Sequence, residues 1–275
     1  MSLAPYYSPQ SRAGLSFGHN KLIDSIIHDG LWDPYNNFLM GNCGEVLCKE
    51  NNYTRDDQDN FAIESYRKSQ EAISEGYFKD EISKVEIKSK KGVQFVDTDE
   101  EPLKFKIDKI STLRPAFDKE GTITAANASS LSDGAAAVLL ARCNKIDEYE
   151  LNPIAKIVVH GSFAMDPLYF TKAPVFAIKK ILKSANLSIE DIDLFEINEA
   201  FSCVPLVAID ELNIPIEKIN IHGGAVSLGH PIGASGTRIL VTLLNALKIN
   251  KLKYGIAALC IGGGEASAML VEMLD

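Results

Sequence analysis

The chain has 275 residues, 46% of them hydrophobic, with a formal net charge of −9 and a sequence pI near 5.2. That length buries one large core or two modest ones, and an acidic balance with no local run of lysine and arginine argues against a nucleic-acid partner. No segment reaches the roughly 18 uncharged apolar residues of a membrane helix, and MSLAPYYSPQSRAG has no apolar core of the signal-peptide kind, so a soluble protein with no membrane partner is expected.

The five cysteines, at positions 43, 48, 143, 203 and 260, form no CxxC pair. An odd number in a chain this long suggests no disulfide framework and fits a reducing compartment. Cys43 and Cys48 stand five apart without a close histidine or a second pair, which is not zinc spacing, and they read as ordinary thiols.

In chain order, about the first hundred residues mix short helical signals with polar connections, as an elaborated loop region does. Leu22, Ile23, Ile26 and Ile27 recur at helical spacing, and Thr54 with Asp57 three residues on caps a helix running through Phe61, Ala62 and Tyr66. A hairpin follows, with Val85 and Ile87 before the turn Lys90-Lys91-Gly92 and Val93 and Phe95 after it. Asp133 to Ala141 reads as a strand.

From about Asn152, apolar runs rich in β-branched residues alternate with amphipathic helices, a pattern that predicts a covered, largely parallel sheet. The strands are Ile154 to Val159, Ile192 to Ile197, a short one from Ile219 to Ile221, Gly255 to Ile261 and Ala266 to Met273. The helices are Pro174 to Ala185, Glu199 to Leu212 and Ile232 to Leu247, so the order is βαβαβαββ in an α/β fold.

Three motifs carry chemistry. HGGAVSLGHPIGASG, from His222 to Gly236, sets His230 among glycines just before a helix, where backbone approaches a ligand closely and free N–H groups face polarised oxygens. A lone histidine in such a turn otherwise only satisfies local hydrogen bonds. CIGGG, from Cys260 to Gly264, puts a thiol at the carboxyl end of a strand, the edge where α/β sheets bind ligands. Cys260 is a base or nucleophile there if a neighbour stabilises its thiolate, and otherwise an inert buried cysteine. Asn198, in Asn198-Glu199-Ala200-Phe201 at the end of another strand, orients a water or carbonyl, or simply caps the following helix. Three motifs at successive strand ends of one sheet converge on one edge, which raises each above its structural alternative.

NEAF, GGAVSLGHPIGASG and CIGGG, in this order and spacing, resemble the C-terminal domain motifs of thiolases. KEGTITAANASSLSDGAA, from Lys119 to Ala136, and DGLWDPYNNFLMG, from Asp29 to Gly41, resemble the segments that frame their substrate loop domain, so the likeness covers essentially the whole chain. It implies a layered α-β-α C-terminal domain at 151–275, a loop domain with an entry segment at 1–131, and at 132–150 the last strands of an N-terminal half otherwise missing. The activity implied is acetyl-CoA C-acetyltransferase, an acyltransferase that condenses two acetyl-CoA to acetoacetyl-CoA or runs the reverse thiolysis. Coenzyme A thioesters are the substrates, with no metal or other cofactor.

By the same resemblance His230 activates a nucleophilic cysteine and lines an oxyanion hole, with Asn198 holding a water there. Cys260 is the acid/base, which requires its pKa brought towards neutrality, and the Gly262 N–H belongs to a second oxyanion hole. Ser129 and Ala128 resemble the pantetheine-binding position, Ala200, Phe201 and Met165 the acyl and pantetheine tunnel, and Met40 is one of the substrate-binding residues. The short-chain enzymes carry His-Met where this chain has Leu39-Met40, and Lys104 and Lys106 are the stand-ins for the basic residues near the CoA phosphates.

No cysteine stands in a context like the nucleophile's, so the expectation is a chain inactive alone in the covalent half-reaction. The alternatives are a CoA-binding pseudoenzyme or half of a split thiolase, a fragment without function, and a 3-ketoacyl-CoA thiolase of longer chains. The resemblance also implies a homo-oligomer, a dimer or tetramer with tetramer contacts from the loop domain, in the cytoplasm or the mitochondrion.

Overall fold

In the computed structural model, which describes residues 1–14, 17–90 and 92–274, four short strands open the chain: β1 (Tyr6–Tyr7), β2 (Ile23–Asp24), β3 (Trp32–Asp33) and β4 (Phe38–Leu39). β1 pairs with β2 and β3 with β4, each pair antiparallel. The helical spacing from Leu22 to Ile27 is realised only in part, because Ile23 enters β2 and a π-helix spans Ile26–Leu31. Backbone pairing of Ile23 with Tyr7 overrides side-chain periodicity in so short a segment.

Helix α1 (Met40–Glu50) and helix α2 (Arg55–Glu75) follow. Thr54 and Asp57 form the reciprocal capping box at the start of α2, and Gly76 ends it in the left-handed region at φ +74°. The hairpin is β5 (Val85–Ser89) with β6 (Gly92–Val96), in which Ser89 pairs with Gly92, while the turn residue Lys91 lies outside the described residues. A short helix α3 (Glu101–Lys104) precedes a long irregular stretch. Asp133 to Ala141 is not a strand: it has no ladder partner for its backbone groups, and Leu139 is 87% exposed.

The second half holds β7 (Ala155–Ala164), α4 (Ala173–Ala185), β8 (Leu194–Ile197), α5 (Cys203–Leu212), α6 (Ala225–Leu228), α7 (Ser235–Asn250), β9 (Tyr254–Ile261) and β10 (Glu265–Met273). The sheet order is β7-β10-β9-β8. It is mixed, not largely parallel: only β8 and β9 run parallel, and β10 is antiparallel to both neighbours. The short Gly262-Gly263-Gly264 turn forces this, since consecutive strands joined so tightly can only form a hairpin. The strand expected at Ile219 to Ile221 shrinks to a single parallel bridge between Phe195 and Ile219.

Helices cover both faces. Ile178 and Ile181 of α4 and Val204 and Val207 of α5 share one buried cluster with Phe195, Ile256 and Leu270 of the sheet. On the other face Ile239, Leu243 and Leu247 of α7 pack on Leu194, Ala257 and Val271. Side chains alternate across a strand, so β8 sends Phe195 and Ile197 to the first cluster and Leu194 to the second. The layered α-β-α arrangement follows, and α1 joins it through Cys43, Leu47 and Cys48. No described helix is long and apolar enough to cross a membrane.

Candidate active site

The carboxyl ends of β8 and β9 bring the three motifs together. Asn198 follows β8, is 1% exposed, and its backbone N–H donates to Ala258 O of β9 at 2.9 Å. Helix α5 begins only at Cys203, so Asn198 is not its cap. The Asn198 Nδ2 lies 3.3 Å from His230 Nε2, whereas its Oδ1 is buried without a partner. A buried, unpaired acceptor is costly and marks a place for a water or a substrate donor.

His230 is held from three sides. Its N–H donates to Ser130 O at 3.0 Å, Nε2 faces Asn198, and Nδ1 lies 2.5 Å from Ser235 Oγ at the first residue of α7. Burial, helped by the nearby Arg238 cation, lowers the ring's pKa to about 4, so it is neutral at pH 7. A neutral imidazole there can take a proton or polarise an oxygen.

Cys260 lies near the end of β9, paired opposite Ala266. Register places Ile197 beside Ala258 on neighbouring parallel strands, which puts Cys260 level with Glu199, one residue beyond Asn198. Burial pushes the Cys260 thiol up to about 12. The condition that an acid/base thiol have its pKa brought towards neutrality is not met in this arrangement: apolar surroundings penalise the thiolate and favour the protonated thiol.

Met40 and Met165 close round the glycine turn. A Cβ built on Gly262 would lie 2.0 Å from Met40 Cε, so the thioether rests on the glycine backbone. Met165 N–H donates to Gly264 O at 2.9 Å, and Gly264 sits at φ +93° with the Met165 carbonyl against it. On the other side Ala128 forms an antiparallel bridge to Phe201, and both the N–H and the hydroxyl of Ser129 donate to Ala200 O at 3.0 Å. Ser129 therefore staples the segment that receives His230 to the strand end that carries Asn198. Lys104 is paired with Glu101 at 2.7 Å and is not a free cation, while Lys106 only precedes the 3-10 turn Ile107–Thr112.

Sequence reasoning missed Glu199 and Ser235 as site-forming groups, although both stand inside the quoted motifs. Glu199, fully buried, accepts from Ser65 Oγ at 2.7 Å, Asn220 Nδ2 at 2.8 Å and Val226 N at 3.0 Å, and so ties α2 and α6 to the end of β8. Its signal was a second acid three residues after Glu196, in the run from Leu194 to Phe201 at a strand end.

Both His230 ring nitrogens are occupied within the chain, and neither partner is a thiol. Cys43 is bonded to Asp33 and pushed up to about 12 by burial and that carboxylate, Cys48 and Cys203 are buried, and Cys143 is exposed in the turn Cys143–Lys145. The described geometry assigns the role of acyl acceptor to none of them.

Comparison with known proteins fits this arrangement. Residues 1–144 match the thiolase N-terminal domain and residues 151–273 the thiolase C-terminal domain. An acetyl-CoA acetyltransferase of Yarrowia lipolytica is 52% identical over all of this chain and 68% of its own length. The crystal structure of the Bacillus anthracis acetyl-CoA acetyltransferase superposes with a TM-score of 0.94 at 39% identity, over 98% of this chain and 68% of that one. A thiolase of Ascaris suum in complex with coenzyme A gives 0.89 at 41% identity, over 99% and 69%.

The expectation that most of the N-terminal half is missing is not supported, since residues 1–144 match the thiolase N-terminal domain; the chain spans 68% to 69% of the length of these relatives. The expectation that the chain is inactive alone gains no support from these relatives. With both domains matched in order and a relative 52% identical over the whole of this chain, the chain belongs to the thiolase family of acyltransferases.

Proposed function

We propose that this acyltransferase works as an acetyl-CoA C-acetyltransferase, condensing two acetyl-CoA to acetoacetyl-CoA or cleaving acetoacetyl-CoA with coenzyme A. The observation that carries the reading is the Asn198–His230 contact with Asn198 Oδ1 unpartnered, set at the end of the strand that pairs with the one carrying Cys260. Its support includes relatives of 52% and 39% identity that bear this name, and one solved relative in complex with coenzyme A.

In this reading His230 Nε2 first takes a thiol proton and, once protonated, joins a water held on Asn198 Oδ1 in binding the thioester oxygen, and the Gly262 N–H binds the second acyl oxygen. Cys260 moves the proton at the acetyl methyl. As a thiol it is ready to donate to the departing acetyl carbanion in thiolysis; in condensation it must first be deprotonated. Ser129, Ala128, Ala200 and Phe201 border the pantetheine, and Met40 and Met165 the acyl group. The proposed organisation is a loop domain with its entry segment at 1–131, the end of the N-terminal domain at 132–150 and the C-terminal domain at 151–275. Val85, Ile87, Val93 and Phe95, exposed on the β5–β6 hairpin, support assembly of copies through that hairpin.

The test is thiolysis of acetoacetyl-CoA by the purified chain, with mass spectrometry for the acetylated residue. Acetyl-CoA formation lost in both Cys260→Ala and His230→Ala is expected. Turnover surviving both substitutions, or a folded chain that neither binds coenzyme A nor turns over, overturns the reading.

A further inference from the structure

We propose that Ser235 is a positioning residue that fixes the tautomer of His230, keeping the proton on Nδ1 and the Nε2 lone pair aimed at Asn198 and the substrate. Ser235 is 1% exposed, and its Oγ lies 2.5 Å from His230 Nδ1 and 3.0 Å from Pro231 O. A carbonyl oxygen only accepts, so the single hydroxyl proton of Ser235 goes to Pro231 O and a lone pair of Oγ faces the ring. Nδ1 must then be the donor.

The far edge of the ring agrees through a longer contact, one whose amide has its Oδ1 unpartnered and so can turn to accept from the ring once Ser235 no longer holds the proton on Nδ1. Asn198 Nδ2 only donates, so Nε2, 3.3 Å away, must accept. One directed chain results, from Asn198 N–H to His230 Nε2, from His230 Nδ1–H to Ser235 Oγ, and from Ser235 O–H to Pro231 O. The ring is neutral in this chain, which suits its place: α7 starts at Ser235, and a helix N-terminus disfavours a cation. Arg238, one turn further on, acts in the same direction.

The chain of bonds decides what His230 can do. With the proton on Nδ1, Nε2 is a base able to take a thiol proton; with the proton on Nε2, the same edge is a hydrogen-bond donor and the base is lost. That catalytic consequence rests on the acyl-transfer reading above, whereas the tautomer does not.

The experiment is two-bond proton–nitrogen correlation NMR of the ring nitrogens in 15N-labelled full chain at neutral pH, with His230 assigned by the signals lost in His230→Gln. Expected are a pyrrole-type Nδ1 and a pyridine-type Nε2 in the wild type, a mixed or Nε2–H pattern in Ser235→Ala, and recovery of Nδ1–H in Ser235→Thr. Thiolysis in Ser235→Ala should fall on the order of 10²-fold in kcat with KM little changed. An Nε2–H pattern in the wild type, or Nδ1–H retained in folded Ser235→Ala, overturns the proposal. The wild-type spectrum decides the tautomer even if the alanine variant does not fold. A chain with the expected tautomer and no acyl transfer speaks against the reading of function, not against the role of Ser235.

Discussion

Asn198 and His230, 32 residues apart in sequence, meet at 3.3 Å between Nδ2 and Nε2. The contact joins the end of β8 to the loop before α7, and Ser129 and Ser130 brace it by bonding Ala200 and His230 respectively. Exchanging the amide for a carboxylate in Asn198→Asp places a negative charge against the ring and favours its protonated form. The His230 pKa should rise from about 4 towards or beyond the ordinary histidine value, whereas Asn198→Ala should not raise it in this way. An NMR titration of His230 in both variants checks this, and equal pKa values in the two would refute it.

His230 also makes stability depend on pH. Its folded pKa of about 4 lies below the unfolded value near 6.5, so between those values the unfolded chain binds more protons. Stability is therefore full above about pH 6.5 and falls as the pH drops through the window to about 4, by on the order of 1 to 3 kcal/mol from this group. Glu196, pushed up to about 8 because burial outweighs the Arg238 cation 3.8 Å away, acts the other way and costs stability as pH rises from about 4.5 to 8. Urea unfolding at pH 5 and 7.5 should show a smaller acid loss in His230→Asn than in the wild type.

Glu199 is the strongest candidate for a large stability loss outside the apolar core. Glu199→Ala leaves the donors of Ser65, Asn220 and Val226 without their buried acceptor, at a cost of about 2 to 5 kcal/mol. Glu199→Gln keeps the shape and one acceptor oxygen but turns an N–H towards a donor, and should cost less. Ser65→Ala should lose about 1 kcal/mol. Denaturant midpoints in that order are expected; a Glu199→Ala protein as stable as Ser65→Ala would rule the network out as a clamp.

The two glycines round Met40 and Met165 should respond differently to alanine. At Gly262 the added methyl meets the flexible end of Met40, so Gly262→Ala should be relieved in part by a second change, Met40→Ala. At Gly264 the methyl would lie 2.2 Å from a backbone oxygen of Met165, at φ +93°, and no side-chain truncation makes room. Thermal unfolding of the singles and of Met40→Ala/Gly262→Ala measures the coupling, and a double variant no more stable than Gly262→Ala contradicts the contact.

The cysteines should alkylate in a set order. At pH 7.5 iodoacetamide should modify exposed Cys143 first, with Cys43 and Cys260 protected both by burial and by pKa values near 12. Peptide mapping over time reads this directly. Cys260 modified as fast as Cys143 in folded protein would mean that its thiolate is stabilised by something the static arrangement lacks.

The sequence by itself determined which residues assemble and which local elements form. Spacing, capping and turn residues specified the capping box of α2, the β5–β6 hairpin, the helices from Ala173 and Ser235 and the strands β9 and β10, because those signals act over a few neighbouring residues. Glycine-rich motifs at strand ends singled out Asn198, His230 and Cys260 in the same way.

What the tertiary structure decided is direction and chemistry. β10 lies antiparallel to β7 because that pairing is chosen between distant segments, and Asp133 to Ala141 is no strand because a strand exists only with a partner. Burial pushes the Cys260 thiol further above its ordinary value and His230 further below its own. The roles of Glu199 and Ser235 likewise depend on donors and acceptors from other parts of the fold, since a hydrogen bond is a relation between two positions and neither residue alone encodes it.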